Sequence, residues 1–146
     1  MLKGISPILS PELLAILAEM GHADELVIGD GNFPAAALAK RLVRADGHGV
    51  CDLLNGILPL FPLDRFVEKP VALMQVVPGD PTQPTIWEEY RAIVQKWAPT
   101  EFRSGFEQVE RFAFYERAKK AYAIVASGES ALYANIILKK GVVDPE

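Results

Sequence analysis

Short apolar runs alternate along this chain with longer segments in which apolar residues return every three or four positions, and the two periods separate strands from helices. Ser10, Pro11 and Glu12 join a capping hydroxyl, a proline suited to a first helical turn and an acid favoured by the helix dipole, so a helix begins there. Leu13, Leu14, Leu17 and Ala18 share its apolar face, and Gly21 is expected to supply a left-handed stop that ends it near Met20. His22 then falls just past the helix. The run Leu26-Val27-Ile28, within residues 25–29, has the length and β-branched content of a buried strand ending at Asp30. Residues 30–34 read as a loop, and 34–41 as a short alanine-rich helix.

The alternation continues to the end of the chain. A second short strand is predicted at 42–44 with Asp46-Gly47 as its turn, then an amphipathic helix at 52–58 stopped by Pro59. Pro62 and Pro70 frame a loop around Leu63-Asp64-Arg65, and the apolar stretch 71–77, closed by Pro78-Gly79, is a strand. Thr85 and Glu88 have capping-box spacing ahead of Ile86, Tyr90, Ile93, Val94 and Trp97, one face of the longest predicted helix. A strand at 108–111, a helix at 112–120, a strand at 121–126, a turn at Ser127-Gly128 and a last strand at 136–138 complete the pattern. Strands alternating with helices predict an α/β fold: a single-domain three-layer sandwich over residues 1–146 with a mostly parallel, Rossmann-like central sheet.

Composition narrows the function classes. A chain of 146 residues, half of them hydrophobic and 23% charged, has the makeup of one globular core. No apolar stretch approaches the ~18 residues of a membrane span, and the N-terminal residues lack a secretory pattern, so a soluble cytoplasmic protein without a membrane partner is expected. The net charge of −4 argues against a nucleic-acid partner. Cys51 is the single cysteine, which rules out an internal disulfide framework and a cysteine-rich zinc motif.

Ligands of open α/β sheets bind beyond the carboxyl ends of strands, where Asp30 falls, and Asp30 follows His22 by eight residues, so the two are expected to share a cleft. A histidine at the negative end of a helix dipole is favoured in its protonated form and suits proton donation, although a solvated helix-end role is the alternative. Asp30 is equally readable as the cap of the following turn. His22, Asp30 and His48 have no metal-ligand spacing, and Gly29-Asp30-Gly31 lacks the full dinucleotide fingerprint and puts an acid where a pyrophosphate needs bare amides. No metal or organic cofactor is expected. Cys51, between Val50 and Asp52, reads as packed or as a nucleophile. The segment from Arg111 through Phe112, Phe114 and Tyr115 to Arg117, and the later Tyr133-Ala134-Asn135, offer hydrogen bonds to a polar ligand, or alternatively core aromatics and a solvated charged face.

Five ordered motifs add to this reading: Leu17-Ala18-Glu19-Met20-Gly21-His22-Ala23-Asp24-Glu25, Asp30-Gly31-Asn32-Phe33-Pro34-Ala35, Arg44-Ala45-Asp46-Gly47, Arg111-Phe112-Ala113-Phe114-Tyr115-Glu116-Arg117-Ala118 and Tyr133-Ala134-Asn135-Ile136. Together they resemble the family of L-fucose mutarotases and D-ribose pyranases along nearly the whole chain. The resemblance implies an isomerase that interconverts monosaccharide anomers by ring opening and closure, L-fucose being the expected sugar and D-ribose the alternative. It also implies His22 as proton donor, Asp30, Arg111, Tyr115, Tyr133 and Asn135 as sugar ligands with Asp64 as a further one, and assembly into a ring-like homo-oligomer, commonly a decamer. Ala134 stands where fucose mutarotases often carry glycine, a ribose-type feature, whereas the Arg-Phe-Ala-Phe-Tyr and Arg-Ala-Asp-Gly blocks are fucose-type. A noncatalytic sugar-binding module is the rival from another class.

Overall fold

Ser10 opens the first helix as its chemistry requires: its hydroxyl accepts the Leu13 N–H at 3.1 Å in the computed structural model, which describes residues 1–145. The elements follow as α1 (Pro11–Glu19), β1 (Glu25–Gly29), α2 (Ala35–Leu38), β2 (Leu42–Ala45), α3 (Val50–Ile57), β3 (Val71–Met74), α4 (Ile86–Trp97), β4 (Glu107–Val109), α5 (Arg111–Lys120), β5 (Ala123–Ser127) and β6 (Ile136–Lys139). The strands form one sheet in the order β2-β5-β1-β6-β3-β4. Pairings β1–β5, β2–β5 and β3–β4 are parallel, and β6 runs antiparallel between β1 and β3. Five strands therefore point one way, and their carboxyl ends share an edge with the start of β6.

Alternation along the strands builds the layers. Leu26, Ile28, Leu73, Ile136 and Leu138 pack with α1, α3 and α4 on one face, while Val27, Ala72, Met74, Ile124 and Ile137 pack with α2 and α5 on the other. The result is the three-layer sandwich that the element pattern predicts. β5 is buried along its whole length, as a central strand covered on both faces must be.

Several local expectations are corrected. Gly21 is not left-handed; α1 ends at Met20 in extended conformation, φ −61° and ψ 138°. Lys140 replaces the glycine stop, because its ammonium donates to the Leu17 and Met20 carbonyls at 2.8 and 2.6 Å and so satisfies the orphan acceptors of the last turn. The left-handed residue of this turn is Ala23, at φ 72°. Thr85 makes no capping bond, since its own backbone is already helical and turn bonds from the Trp87 and Glu88 amides to Pro84 and Thr85 continue the coil backwards. The strand expected over 71–77 stops at Met74, and the alanine-rich helix shrinks to one turn in α2. Glu110 is a cap the pattern did not reveal: its carboxylate accepts the Ala113 N–H at 3.0 Å at the start of α5, and the Phe112 and Ala113 amides hold it below the usual range.

Candidate active site

The shared sheet edge carries a cavity of about 260 Å³, small beside the ~300–1,000 Å³ of drug-sized sites and suited to a small polar ligand. Asp30 forms its floor where β1 ends. Glycine precedes it out of necessity, because a Cβ at Gly29 would stand 2.8 Å from that of Phe33, which the loop folds back against the strand. The Asp30 N–H donates to Asn135 Oδ1 at 2.7 Å, and the Asp30 carboxylate accepts the Asn32 N–H at 3.0 Å. Asp30 is 7% exposed, and burial raises its carboxyl above the usual range despite opposing bonds from the Asn32, Ala134 and Phe33 amides, with repulsion from Glu129 adding to the rise. Since Asn135 spends its oxygen on the Asp30 amide, its orientation leaves the amide nitrogen as donor.

The Tyr133-Ala134-Asn135 loop is held from behind by α4. Trp87 Nε1 donates to the Tyr133 carbonyl at 2.7 Å, and the buried Tyr90 hydroxyl donates to the Ala134 carbonyl at 2.8 Å. These bonds fix Tyr133 at φ 55°, a left-handed conformation that costs a side-chain-bearing residue roughly 1–2 kcal/mol. The Tyr133 hydroxyl accepts the Val77 N–H at 3.3 Å and donates to Asp80 at 2.6 Å. Hydrogen bonds from Thr82 and Tyr133 hold the Asp80 carboxyl below the usual range, and the bond to Asp80 raises the Tyr133 phenol. Asp30 and Asp80, two carboxyls of one pocket, are thus pushed in opposite directions.

From the other side α5 brings Arg111 in its first turn and Tyr115 one turn later. The Arg111 guanidinium lies 4.6 Å from the Phe112 ring centre, and Tyr115 meets Phe33 edge-on at 5.7 Å. Five of the residues expected at the site, Asp30, Arg111, Tyr115, Tyr133 and Asn135, therefore line one cavity.

His22 and Asp64 are not among them. β1 separates His22 from Asp30, and its five residues span roughly 16 Å at the usual strand rise, so the cleft expected to hold both does not form within one chain. His22 instead sits at the opposite sheet edge, its Nε2 3.1 Å from Asp64 Oδ1. Asp64 is 2% exposed and accepts the Phe66 N–H as well, at 3.0 Å.

Other motifs have different work. Arg44 and Asp46 form a bidentate surface pair, at 2.9 and 2.7 Å, beside a second cavity on the far side of Asp30. Cys51 is half-buried with its thiol pushed up to about 11, mainly by burial, which suits packing rather than nucleophilic attack. Among the described residues no three His, Cys, Asp or Glu side chains cluster as metal ligands, and no helix is long and apolar enough to cross a membrane. Sequence reasoning missed Asp80 and the apolar lining residues Phe33, Met74, Val77 and Leu132. Asp80 carried a usable signal, an acid two residues ahead of a threonine in the Pro78 to Pro84 loop, whereas the apolar members look like ordinary core.

Fold and cavity together define an α/β protein with a small polar-ligand site at the carboxyl ends of its parallel strands. The chain belongs to the RbsD / FucU transport protein family, whose model matches residues 3–143. It is 56% identical over 142 residues to the L-fucose mutarotase of Actinobacillus pleuropneumoniae serotype 5b (strain L20), covering 97% of each chain. It is 49% identical over 148 residues to the fucose mutarotase of Homo sapiens, covering 97% of this chain and 94% of the human one. A crystal structure of the fucose mutarotase of Streptococcus pneumoniae in complex with L-fucose superposes with a TM-score of 0.92 at 50% identity, covering 98% of this chain and 100% of that one.

Proposed function

We propose that this chain is an L-fucose mutarotase that binds the sugar in the cavity at the sheet edge and exchanges its α and β anomers. The observation that carries the reading is the combination of Asp30, Asn135, Tyr133 and Arg111 with an apolar wall of Phe33, Met74, Val77 and Leu132. A neutral sugar needs directional donors and acceptors rather than a counter-charge, and the methyl group of a 6-deoxy sugar gives the apolar wall a partner that D-ribose lacks. L-Fucose in the pneumococcal relative supports the same sugar.

Ring opening needs an acid and a base. His22 donates a proton to the ring oxygen as its bond to the anomeric carbon breaks, and the anomeric hydroxyl gives its proton to Asp30, leaving the open-chain aldehyde. Rotation about the C1–C2 bond and the reverse proton moves close the ring on the other carbonyl face. Asp30 suits the base role because its carboxyl holds a proton more readily than usual, whereas Asp80 stays ionised as the acceptor for Tyr133. Such acid/base assistance supplies typically ~10²- to 10⁴-fold.

Since His22 and the cavity lie at opposite sheet edges, His22 reaches the sugar of a second copy of the chain. Exposed apolar side chains support contacts at both places: Phe66 against the His22 ring, Leu132 at the cavity, and Phe112 beneath the cavity's Arg111. Two unlike patches make a head-to-tail contact, which forms a ring where its rotation closes, and the expected ring-like decamer is compatible with such a contact. A single unpaired cysteine agrees with a cytoplasmic setting.

Saturation-transfer NMR on L-fucose and D-ribose tests the reading. The chain should speed exchange between the fucose anomers more than exchange among ribose forms, and His22→Gln should abolish the effect while the fold persists. Fucose binding without accelerated exchange would indicate a noncatalytic module.

A further inference from the structure

His22 lies in a turn that one distant residue holds on both sides. Lys140, directly after β6, donates from its ammonium to the Leu17 and Met20 carbonyls at 2.8 and 2.6 Å, ahead of the histidine. Its backbone takes the residues behind the histidine: the Lys140 carbonyl accepts the Ala23 N–H at 2.8 Å, and the Lys140 N–H donates to the Asp24 carbonyl at 2.9 Å. Lys140 is itself clamped, because it bridges to Leu63 and the next N–H, that of Gly141, donates to the Pro62 carbonyl at 2.7 Å.

Neither end of the turn holds itself. α1 has nine residues, fewer than an isolated helix needs in water, and its last turn carries no basic residue to meet the dipole. Ala23 is left-handed at φ 72°, a conformation that a side-chain-bearing residue adopts only where contacts impose it. The bond from the Gly21 N–H to Asp24 Oδ2 at 2.7 Å closes the turn on itself without tying it to the sheet.

We infer that Lys140 is a positioning residue of the mutarotase reaction: its ammonium fixes the end of α1 and thereby the direction in which His22 leaves the helix toward the sugar. Lys140 lies outside the cavity lining and acts only through the turn. Without the ammonium the last carbonyls of α1 turn to water, the helix end frays and the imidazole samples several places, while the backbone pairing to Ala23 and Asp24 keeps the sheet edge. A catalytic group misplaced by about 1 Å costs on the order of a hundredfold, so the loss falls on proton transfer and not on sugar binding. The inference rests on the reading of His22 as proton donor.

Lys140→Met keeps a stem of similar length and removes the charge. In the assembled protein, saturation-transfer NMR over a range of fucose concentrations should show kcat lower by on the order of tenfold or more with KM within about twofold, while Lys139→Met keeps both within about twofold. A lysine that only stabilises the fold would lower the urea midpoint and leave exchange per folded chain unchanged; that result overturns the inference, as does a raised KM with kcat preserved. Subunit mixing then locates the defect. Reassembled with Asp30→Asn, Lys140→Met should regain exchange, because its own cavity is intact; reassembled with His22→Gln it should regain none, and recovery there instead would put the defect at the cavity. If His22→Gln and Asp30→Asn do not complement each other, the division of the site between copies fails, and kcat and KM of Lys140→Met alone judge the lysine. Should Lys140→Met not fold, Lys140→Gln, which keeps one amide donor, should show the same split with a smaller fall in kcat, and an unchanged kcat overturns the inference. An unsubstituted chain without fucose exchange would overturn the mutarotase reading itself, whereas an active unsubstituted chain beside an equally active Lys140→Met overturns only the role of the lysine.

Discussion

Asp30 meets two opposed demands, burial in the cavity lining and its proposed use as a base. Burial favours its neutral form, so its folded pKa lies above the ordinary carboxylate value of 3.8. Ionised Asp30 therefore subtracts from stability at neutral pH; the loss is absent below the ordinary range and grows as pH rises through the folded value. The same shift governs catalysis if Asp30 takes the anomeric proton. kcat/KM for fucose measured against pH should fall on the acid side with a midpoint above 3.8, and a midpoint at or below that value would separate the limb from Asp30.

At the scale of elements, two contacts decide where the proposed sugar ligands stand. Tyr90 on α4 is fully buried and spends its hydroxyl on the Ala134 carbonyl. Tyr90→Phe leaves that carbonyl unpaired and should cost about 1–2 kcal/mol in urea denaturation, with KM for fucose rising more than kcat falls because Tyr133 and Asn135 lose their backing. α5 is anchored by Arg117, which grips Glu25 through Nε and Nη2 at 2.9 and 2.6 Å and Glu107 through Nη1 at 3.0 Å. Arg117→Ala would leave two carboxylates facing each other beside the sheet. A loss of about 2–3 kcal/mol is expected from chemical denaturation, below the range for fully buried pairs because Arg117 is 23% exposed and solvent screens it in part.

At the scale of the whole molecule, the proposed division of the site between copies would make inactive chains complementary. His22→Gln retains an intact cavity and Asp30→Asn an intact histidine. Mixed, dissociated and reassembled, the two should recover about a quarter of the full fucose exchange rate, the fraction of head-to-tail contacts that pair an intact histidine with an intact cavity. Each variant alone should stay inactive. If the mixture stays inactive after verified subunit exchange, both groups must act within one chain.

The sequence by itself determined the elements and most of the candidate site's lining. Hydrophobic period, the Ser10-Pro11-Glu12 start and the turn residues are local signals, and they placed every strand to within a few positions. Its separated motifs also named five residues that line one cavity, Asp30, Arg111, Tyr115, Tyr133 and Asn135. What only the tertiary structure decided depends on pairing between distant segments, which periodicity does not encode. The antiparallel entry of β6 brings Asn135 to the Asp30 amide across 105 positions, and a parallel β6 would have sent it to the other edge. Lys140 ends α1 from more than a hundred residues away. Nearness along the chain also misled, since the seven residues between His22 and Asp30 contain an extended strand that drives them apart. Asp64, 42 positions from His22, became its partner because a strand moves neighbours apart while the folding of the sheet edge gathers strangers.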